Sequence, residues 1–139
     1  MQAKDIMTNH PEIISPDTTL NEAAAKMKSQ DIGFLPIGEN DRLIGAVTDR
    51  DIVIRGLAAG KNADKTTVKE IMTDKIQYCL ETDNLDKVAE MMGNSKIRRI
   101  AVLNAEKRIV GIISLGDVAT KSQDAKLTGK VTADVSEEA

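Results

Sequence analysis

Apolar residues recur with helical spacing at two places along the chain. Each place carries apolar residues at positions i, i+3, i+4 and i+7, the pattern of a helix that buries one face. The two sets are Leu20, Ala23, Ala24 and Met27, and, 65 residues later, Leu85, Val88, Ala89 and Met92. Residues able to cap a helix precede both sets, and they are Asp17, Thr18, Thr82 and Asp83. The spacing therefore predicts two equivalent amphipathic helices.

The matching helices belong to a longer internal repeat. Asp5–Thr8 (DIMT) recurs as Glu70–Thr73 (EIMT), and Ile32–Ile37 matches Ile97–Val102, both at an offset of 65 residues. One extra residue in the turn that follows raises the offset to 66. Because an insertion confined to a turn is readily tolerated, we predict that the chain contains two copies of one folding unit.

Each copy is predicted to be α+β, with a strand, a helix, two short strands joined by a tight turn, and a second helix. The first strand is expected near Ile13–Ile14 in one copy and near Tyr78–Cys79 in the other. In the first copy the two paired strands are expected at Phe34–Ile37 and Leu43–Val47. The alternation of strands and helices indicates that each copy can bury a small core.

The boundaries of the copies follow from changes in polarity. The last helix of the first copy should begin at Thr48 and continue to about Ala59, and Gly60 is placed to end it. The predicted segments are copy one at 1–60, a polar linker at 61–67, copy two at 68–120 and a polar tail at 121–139. The tail is predicted to be partly disordered because it offers few apolar residues to bury.

Both copies contain the same seven-residue motif, which consists, in this order, of Gly, two apolar residues, Ser or Thr, two variable residues and Asp. The two examples are Gly45–Asp51 (GAVTDRD) and Gly111–Asp117 (GIISLGD). A strand that ends at the hydroxyl residue would bring an aspartate next to a helix N-terminus. The backbone amides there can bind an anion while the carboxylate binds a neighbouring diol, and a nucleotide offers both groups. The alternative is a capping box that only begins a helix.

Composition narrows the class of partner. The net charge is −3 with mixed signs, and the aromatic residues are Phe34 and Tyr78 alone. These features argue against nucleic acid, which needs basic surfaces or stacking platforms, and against an anionic membrane surface. No run of about 18 apolar residues predicts a membrane span, and no apolar segment resembles a signal peptide. Because the single Cys79 cannot form an internal disulfide, a cytoplasmic location is expected.

Catalysis is not expected from this sequence. One histidine and one cysteine supply neither a catalytic triad nor a zinc site built from these residue types alone. No GxxxxGK[ST] phosphate-binding loop is present in the sequence. Asp49 and Asp51 are candidate Mg²⁺ ligands, but two carboxylates without a phosphate would bind the metal weakly. We therefore predict neither an enzyme nor a metal site formed by the protein alone.

The segments DIMT, ISPDTTLNEAA, DIGFLPI and LIGAVTDRDIV closely resemble a CBS domain, the module named after cystathionine β-synthase. EIMT, KIRRIAVL and IVGIISLGDVA resemble a second one, so the resemblance covers residues 3 to about 120. It implies a stand-alone pair (a Bateman module) of two βαββα repeats related by a pseudo-two-fold axis, with the sheets packed together and the helices outside. It also implies clefts that bind adenine nucleotides in many members, and association into a homodimer.

The resemblance assigns ligand-binding roles in both copies. The motif aspartate binds the ribose hydroxyls and the motif hydroxyl contacts phosphate, which here implies Asp51 with Thr48, and Asp117 with Ser114. Residues implied to hold the base or wall the pocket are Thr8, Ile13, Ile14, Leu35, Pro36, Ala46, Thr73, Tyr78, Cys79 and Ile112. For the apolar members ordinary core packing is the alternative, and Cys79 is interpreted as a small buried side chain.

The two copies differ in their basic residues. Arg98 and Arg99 occupy positions where the family often has a phosphate-binding cation, whereas the first copy has Gly33 and Phe34 there. The resemblance therefore implies unequal clefts in which the arginines of the second copy bind most of the phosphate charge, unless they only face solvent. Arg50 and Arg55 are weaker candidates because the sequence does not define which face of their helix they occupy.

Two functions fit these features. The first is a non-catalytic sensor that binds AMP, ADP or ATP, requires no cofactor and signals to an effector protein, with Mg²⁺ arriving only together with the nucleotide. The alternative is an interaction or dimerisation module with empty or vestigial clefts. The sequence leaves the ligand open, because S-adenosylmethionine or a dinucleotide also fits these features.

Overall fold

The computed structural model describes residues 1–121, which form two compact units. Glu12–Ile76 form one unit, termed here the continuous unit. Met1–Pro11 together with residues 77–121 form the other, termed the composite unit. The predicted α+β class is confirmed. The tail predicted to be partly disordered lies, from residue 122 on, outside the described residues.

Apart from the first strand of the first repeat, the helices and strands predicted for the two repeats are present in the predicted order. In chain order they are α1 (Ala3–Ile6), β1 (Thr8–Asn9), α2 (Leu20–Gln30), β2 (Phe34–Glu39), β3 (Arg42–Thr48), α3 (Asp49–Asp51), a π-helix (Ile52–Leu57), a 3₁₀ helix (Val68–Glu70), β4 (Tyr78–Leu80), α4 (Leu85–Ser95), β5 (Arg99–Leu103), β6 (Ile109–Ser114) and α5 (Leu115–Lys121). The helix predicted to begin at Thr48 is therefore partly π-helical, and Gly60, with a φ of 76°, follows its last turn.

The two amphipathic helices, α2 and α4, are confirmed, but their caps lie one residue later than the nearest predicted candidate. Thr19 accepts a hydrogen bond from the backbone N–H of Glu22, and Asn84 accepts one from that of Asp86. The difference arises because the capping side chain must directly precede the first helical residue to reach the free amides. Both helices end at a residue in the left-handed conformation.

The continuous unit is built on the antiparallel pair β2–β3. The strand predicted near Ile13–Ile14 is reduced to a single parallel bridge between Ile14 and Ile37. Pro11 and Pro16 flank this short segment, and proline cannot donate to a strand ladder. The core of the unit lies between the sheet and α2, and its buried residues are Ile14, Leu20, Ala23, Met27, Leu35, Ile37, Val47, Ile52, Val68 and Ile71.

The segment predicted as a polar linker, residues 61–67, packs within the continuous unit. The backbone N–H of Leu20 donates to the carbonyl of Thr66 (3.0 Å), and that of Asn21 donates to the carbonyl of Ala63 (3.0 Å). Thr66 is buried. These bonds supply partners for amides of the first turn of α2 that have no carbonyl inside the helix.

The composite unit contains a four-stranded sheet in the order β1-β6-β5-β4. β4 runs parallel to β5, and the other neighbouring strands are antiparallel. Helices α1 and α4 add to its core, whose buried residues are Ala3, Ile6, Cys79, Leu85, Val88, Ala89, Met92, Ile100, Val102, Ile113 and Val118. Within residues 1–121, no helix is both long enough and apolar enough to cross a lipid bilayer.

The compact units are offset from the sequence repeats, because the two Met-Thr segments are exchanged. Thr8, from the start of the first repeat, pairs with Ile112 of the second. Thr73, from the start of the second repeat, pairs with Ala46 of the first. Each unit therefore completes its sheet with a segment that the sequence pattern assigns to the other copy.

Candidate functional site

Strand alternation gives each sheet one face toward the core and one face with polar and small residues. In the continuous unit, Leu35 pairs with Val47 on the core face, so the next pairs point the other way. Those pairs are Pro36 with Ala46 and Phe34 with Thr48. We term this second side the site face of the continuous unit, because it carries the hydroxyl of the first motif.

The composite unit has an equivalent site face. Ile100 pairs with Ile113 on the core face. The alternate pairs, Ala101 with Ile112 and Arg99 with Ser114, therefore lie on the opposite face. The hydroxyl residues Thr48 and Ser114 thus occupy the same position at the end of β3 and β6, immediately before a helix.

The exchanged segments lie directly beside the motifs. Ala46 and Thr73 exchange two backbone hydrogen bonds of 3.0 Å each. Thr8 takes the equivalent place beside Ile112 in the composite unit. The glycine before each pair allows this approach, because a Cβ on Gly45 would lie 2.8 Å from the carbonyl oxygen of Thr73. The structure therefore groups Thr73 with the first motif and Thr8 with the second.

Three of the residues assigned to the pocket direct their side chains into the cores instead. They are Ile14, Leu35 and Cys79. Their register explains this placement, since Ile14 pairs with Ile37 and Cys79 with Val102, both core residues. These three side chains therefore pack in the cores, which was the alternative interpretation of the apolar pocket residues. Burial raises the pKa of the Cys79 thiol to about 12, so the thiol is neutral at neutral pH.

The neighbours of these core residues face the other way. Ile13 precedes Ile14 and is partly exposed, and Tyr78 precedes Cys79 with 38% of its surface exposed. Tyr78 pairs with Ala101, which lies on the site face of the composite unit. By alternation, Ile13 and Tyr78 are the members of each predicted pair whose side chains point toward the site faces.

Both motifs form capping boxes, as the alternative interpretation expected. The backbone N–H of Thr48 donates to Asp51 Oδ2 (2.9 Å), and the backbone N–H of Asp51 donates to Thr48 Oγ1 (3.1 Å). The same two bonds join Ser114 and Asp117, at 2.8 and 3.0 Å. Each box uses only one carboxylate oxygen, and the side chains of Asp51 and Asp117 remain 15% and 16% exposed.

A cation lies beside the second oxygen of each motif aspartate. Arg55 Nε is 3.9 Å from Asp51 Oδ1, and Lys121 Nζ is 3.3 Å from Asp117 Oδ1. Such partly exposed pairs contribute little to stability, so a ligand that competes for the carboxylate would displace a weak interaction. One oxygen in each unit is therefore bonded within the cap, and the other lies beside a long cationic side chain.

The same cations contact the exchanged segments. Arg55 Nη1 donates to the carbonyl of Ile71 (3.2 Å) and to Thr73 Oγ1 (3.3 Å). Lys121 Nζ donates to the carbonyl of Ile6 (3.2 Å). Sequence reasoning ranked Arg55 low and missed Lys121. The available signal was that both follow a motif aspartate by four residues, a spacing that places side chains on one helix face.

The basic residues of the second copy lie at the motif, and the first copy differs there. Arg99 is directly opposite Ser114, whereas Phe34 is opposite Thr48. Arg98 and Arg99 are both exposed. In the first copy the place of Arg98 is taken by Gly33, whose carbonyl accepts a hydrogen bond from the backbone N–H of Asp49 (3.0 Å).

Within the part of the chain that the structure describes, no group of three or more His, Cys, Asp or Glu residues is arranged to hold a metal ion. His10 lies in an exposed position with a positive φ of 52°. Cys79, the other soft ligand, is buried in the core of the composite unit. The chemistry of both site faces is therefore that of hydroxyls, carboxylates, cations and small apolar side chains.

The CBS domain model matches this sequence twice, at residues 3–57 and 68–124. The chain belongs to the CBS domain family. This CBS-domain pair is 41% identical over 118 residues to hypoxic response protein 1 of Mycobacterium tuberculosis, covering 84% of this chain and 82% of that protein. It is also 32% identical over 133 residues to the CBS domain-containing protein YhcV of Bacillus subtilis, covering 96% and 94% of the two chains.

Solved structures give the same family assignment. The crystal structure of hypoxic response protein 1 with two coordinated zinc ions has a TM-score of 0.78 and 39% identity, covering 87% of this CBS-domain pair and 98% of that chain. The CBS domain pair of protein MJ0100, solved with 5′-methylthioadenosine and S-adenosyl-L-methionine, has a TM-score of 0.75 and 31% identity. That alignment covers 86% of this chain and 93% of the MJ0100 chain.

Proposed function

We propose that this CBS-domain pair is a non-catalytic regulatory module that binds an adenosine-containing ligand at the site faces of its two units. The observation that carries the proposal is the second oxygen of Asp51 and of Asp117, which neither capping box uses. A ribose offers two adjacent hydroxyls that can donate to such an oxygen, and hydrogen bonds to a carboxylate are stronger than neutral ones.

The surroundings of each aspartate suit the rest of an adenosine. Ala46 on β3 and Ile112 on β6 are apolar residues two positions before the motif hydroxyl, on the same face of the strand, and apolar side chains suit a planar base. Thr73 and Thr8 add hydroxyl groups beside these two residues. The MJ0100 domain pair, which is 31% identical, was solved with two adenosine-containing molecules, and this likeness supports the same ligand class here.

The proposal is tested with isosteric variants of the motif aspartates. Asp51→Asn and Asp117→Asn keep an oxygen that can accept the capping bond but remove the carboxylate charge. Each is expected to weaken binding of an adenosine ligand at its own site by about tenfold or more, because hydrogen bonds to charged groups contribute about 1.5–3 kcal/mol. Titration calorimetry measures the affinities, and a thermal-shift screen of AMP, ADP, ATP, adenosine and 5′-methylthioadenosine identifies the ligand.

Asp86→Asn is the matched control, since Asp86 is an exposed aspartate in the first turn of α4 and far in sequence from both motifs. It should bind like the wild-type chain. A ligand present at about a hundred times its dissociation constant should stabilise the fold by about 2.7 kcal/mol. Affinities that stay unchanged in both motif variants would contradict the site assignment.

One observation favours the alternative function, an interaction module that forms a homodimer. Val53, Ile54 and Leu57 lie on one helix with 51%, 53% and 56% of their surfaces exposed. Large apolar side chains gathered on a surface are typical of protein contacts.

We expect the wild-type chain to have the mass of two chains in light scattering and the Val53→Lys/Leu57→Lys variant to have the mass of one chain. Ala59→Lys is the control, and a monomeric wild-type chain would refute this prediction.

A further inference from the structure

We infer that the two sites select different adenosine ligands: the composite site takes a 5′-phosphorylated adenosine, and the continuous site takes an adenosine with an uncharged, apolar 5′ substituent. The inference rests on the proposed function, in which the motif aspartate binds the ribose and the motif hydroxyl lies near the 5′ group. It depends on the residues that surround each hydroxyl.

The composite site has basic side chains beside its motif. Arg99 is paired across the sheet with Ser114, so its side chain lies on the same face as the hydroxyl. Arg98 is adjacent and exposed, and Lys121 Nζ is 3.3 Å from Asp117 Oδ1. Arg99 and Lys121 thus bring two positive charges to the motif, and the guanidinium group of Arg99 suits phosphate oxygens because it can donate two parallel hydrogen bonds.

The continuous site has the opposite character at the same positions. Phe34 replaces Arg99 as the residue paired with the motif hydroxyl, here Thr48. Gly33 replaces Arg98, and the carboxylate of Asp49 packs over it, since a Cβ on Gly33 would lie 2.8 Å from Asp49 Oδ2. A hydrocarbon ring therefore stands where the composite site has the guanidinium group of Arg99, and a carboxylate lies beside the neighbouring residue, Gly33.

This substitution changes which 5′ group can bind. A phosphate placed beside Thr48 would lose water on the side of Phe34 and would be repelled by Asp49, with no arginine opposite the hydroxyl to compensate. An apolar 5′ substituent would instead gain contact area on the Phe34 ring without a desolvation cost. Arg55, the cation beside the motif aspartate here, is bonded to Ile71 and Thr73, much as Lys121 is bonded to Ile6 in the composite unit. The two sites therefore differ mainly in the residue that lies opposite the motif hydroxyl.

The test compares AMP with 5′-methylthioadenosine, which share the nucleoside and differ at the 5′ group. By titration calorimetry on the whole chain, Asp117→Asn should weaken AMP binding and Asp51→Asn should weaken 5′-methylthioadenosine binding, each about tenfold, with the other ligand changed less than about twofold. Arg99→Phe should weaken AMP binding about tenfold. Since Arg99 is exposed, that variant is expected to fold.

A converse variant tests the continuous site directly. Phe34→Arg/Asp49→Asn should create a second AMP site per chain and weaken 5′-methylthioadenosine binding, whereas Phe34→Leu/Asp49→Asn, the control, should not gain AMP binding. Equal affinity of both sites for AMP, or AMP binding unchanged in Arg99→Phe, would overturn the inference alone. Absence of binding by both ligands would instead overturn the proposed function on which it rests.

Discussion

Replacing Ile6 by alanine is expected to lower the free energy of unfolding by about 2–5 kcal/mol, the cost of truncating a large core residue. Ile6 belongs to a helix of only four residues, yet it is 1% exposed and packs in the core of the composite unit. The loss has two parts, because the removed methyl groups leave a cavity as well as forfeiting burial. Urea denaturation monitored by circular dichroism measures the change.

Lys4→Ala is the control for this prediction. Lys4 lies in the same helix, and its side chain is exposed. Its replacement should change the free energy of unfolding by less than about 0.5 kcal/mol. If Ile6→Ala were as mild as Lys4→Ala, the exchanged segment would not be part of the core of the composite unit.

Replacing Gly45 by valine is expected to destabilise the protein by about 2–3 kcal/mol through overpacking. A Cβ at this position would lie 2.7 Å from Met72 Sδ and 2.8 Å from the carbonyl oxygen of Thr73. The methionine can move, but the carbonyl is fixed by its hydrogen bond to Ala46. Gly111→Val should behave alike, because a Cβ there would lie 2.8 Å from Met7 Cγ and 3.0 Å from the Thr8 carbonyl.

Gly116→Ala is the matched control for the glycine variants. Gly116 lies in α5, and the nearest atom to an added Cβ is Ser114 Oγ at 3.5 Å. Alanine should therefore leave stability unchanged or raise it by up to about 1 kcal/mol, since glycine is a poor helix former. Chemical denaturation compares the three variants. A Gly45→Val protein as stable as the wild type would show that the Met-Thr segment does not approach the motif strand as closely as described.

The sequence predicted α2 and α4 well because their apolar residues follow one clear period. It did not predict the exchange of the Met-Thr segments. Periodicity indicates which face of a segment is buried, but it carries no information about which strand lies against that face. Two nearly identical segments, at Asp5–Thr8 and Glu70–Thr73, made both pairings equally compatible with the pattern.

The candidate site shows a similar limit. The two aspartates and hydroxyls were found because the motif repeats, but Ile14, Leu35 and Cys79 were assigned to the pocket although their side chains face the cores. β2 is apolar on both faces where Leu35 and Pro36 are adjacent, so no polar alternation distinguishes the two sides. The two interpretations of the motif also proved compatible, since a capping box occupies only one carboxylate oxygen.

The exchange of the Met-Thr segments has a consequence for protein synthesis. Glu12–Ile76 is an uninterrupted stretch, so it can complete its internal contacts as soon as it has left the ribosome. The backbone N–H of Ala3 donates to the carbonyl of Asp83, and the carbonyl of Ile6 accepts from Lys121 Nζ. Neither bond can form until residues translated much later are available. Helix α1 is thus translated before the continuous unit but immobilised after it, and until then Ala3 and Ile6 remain exposed to solvent.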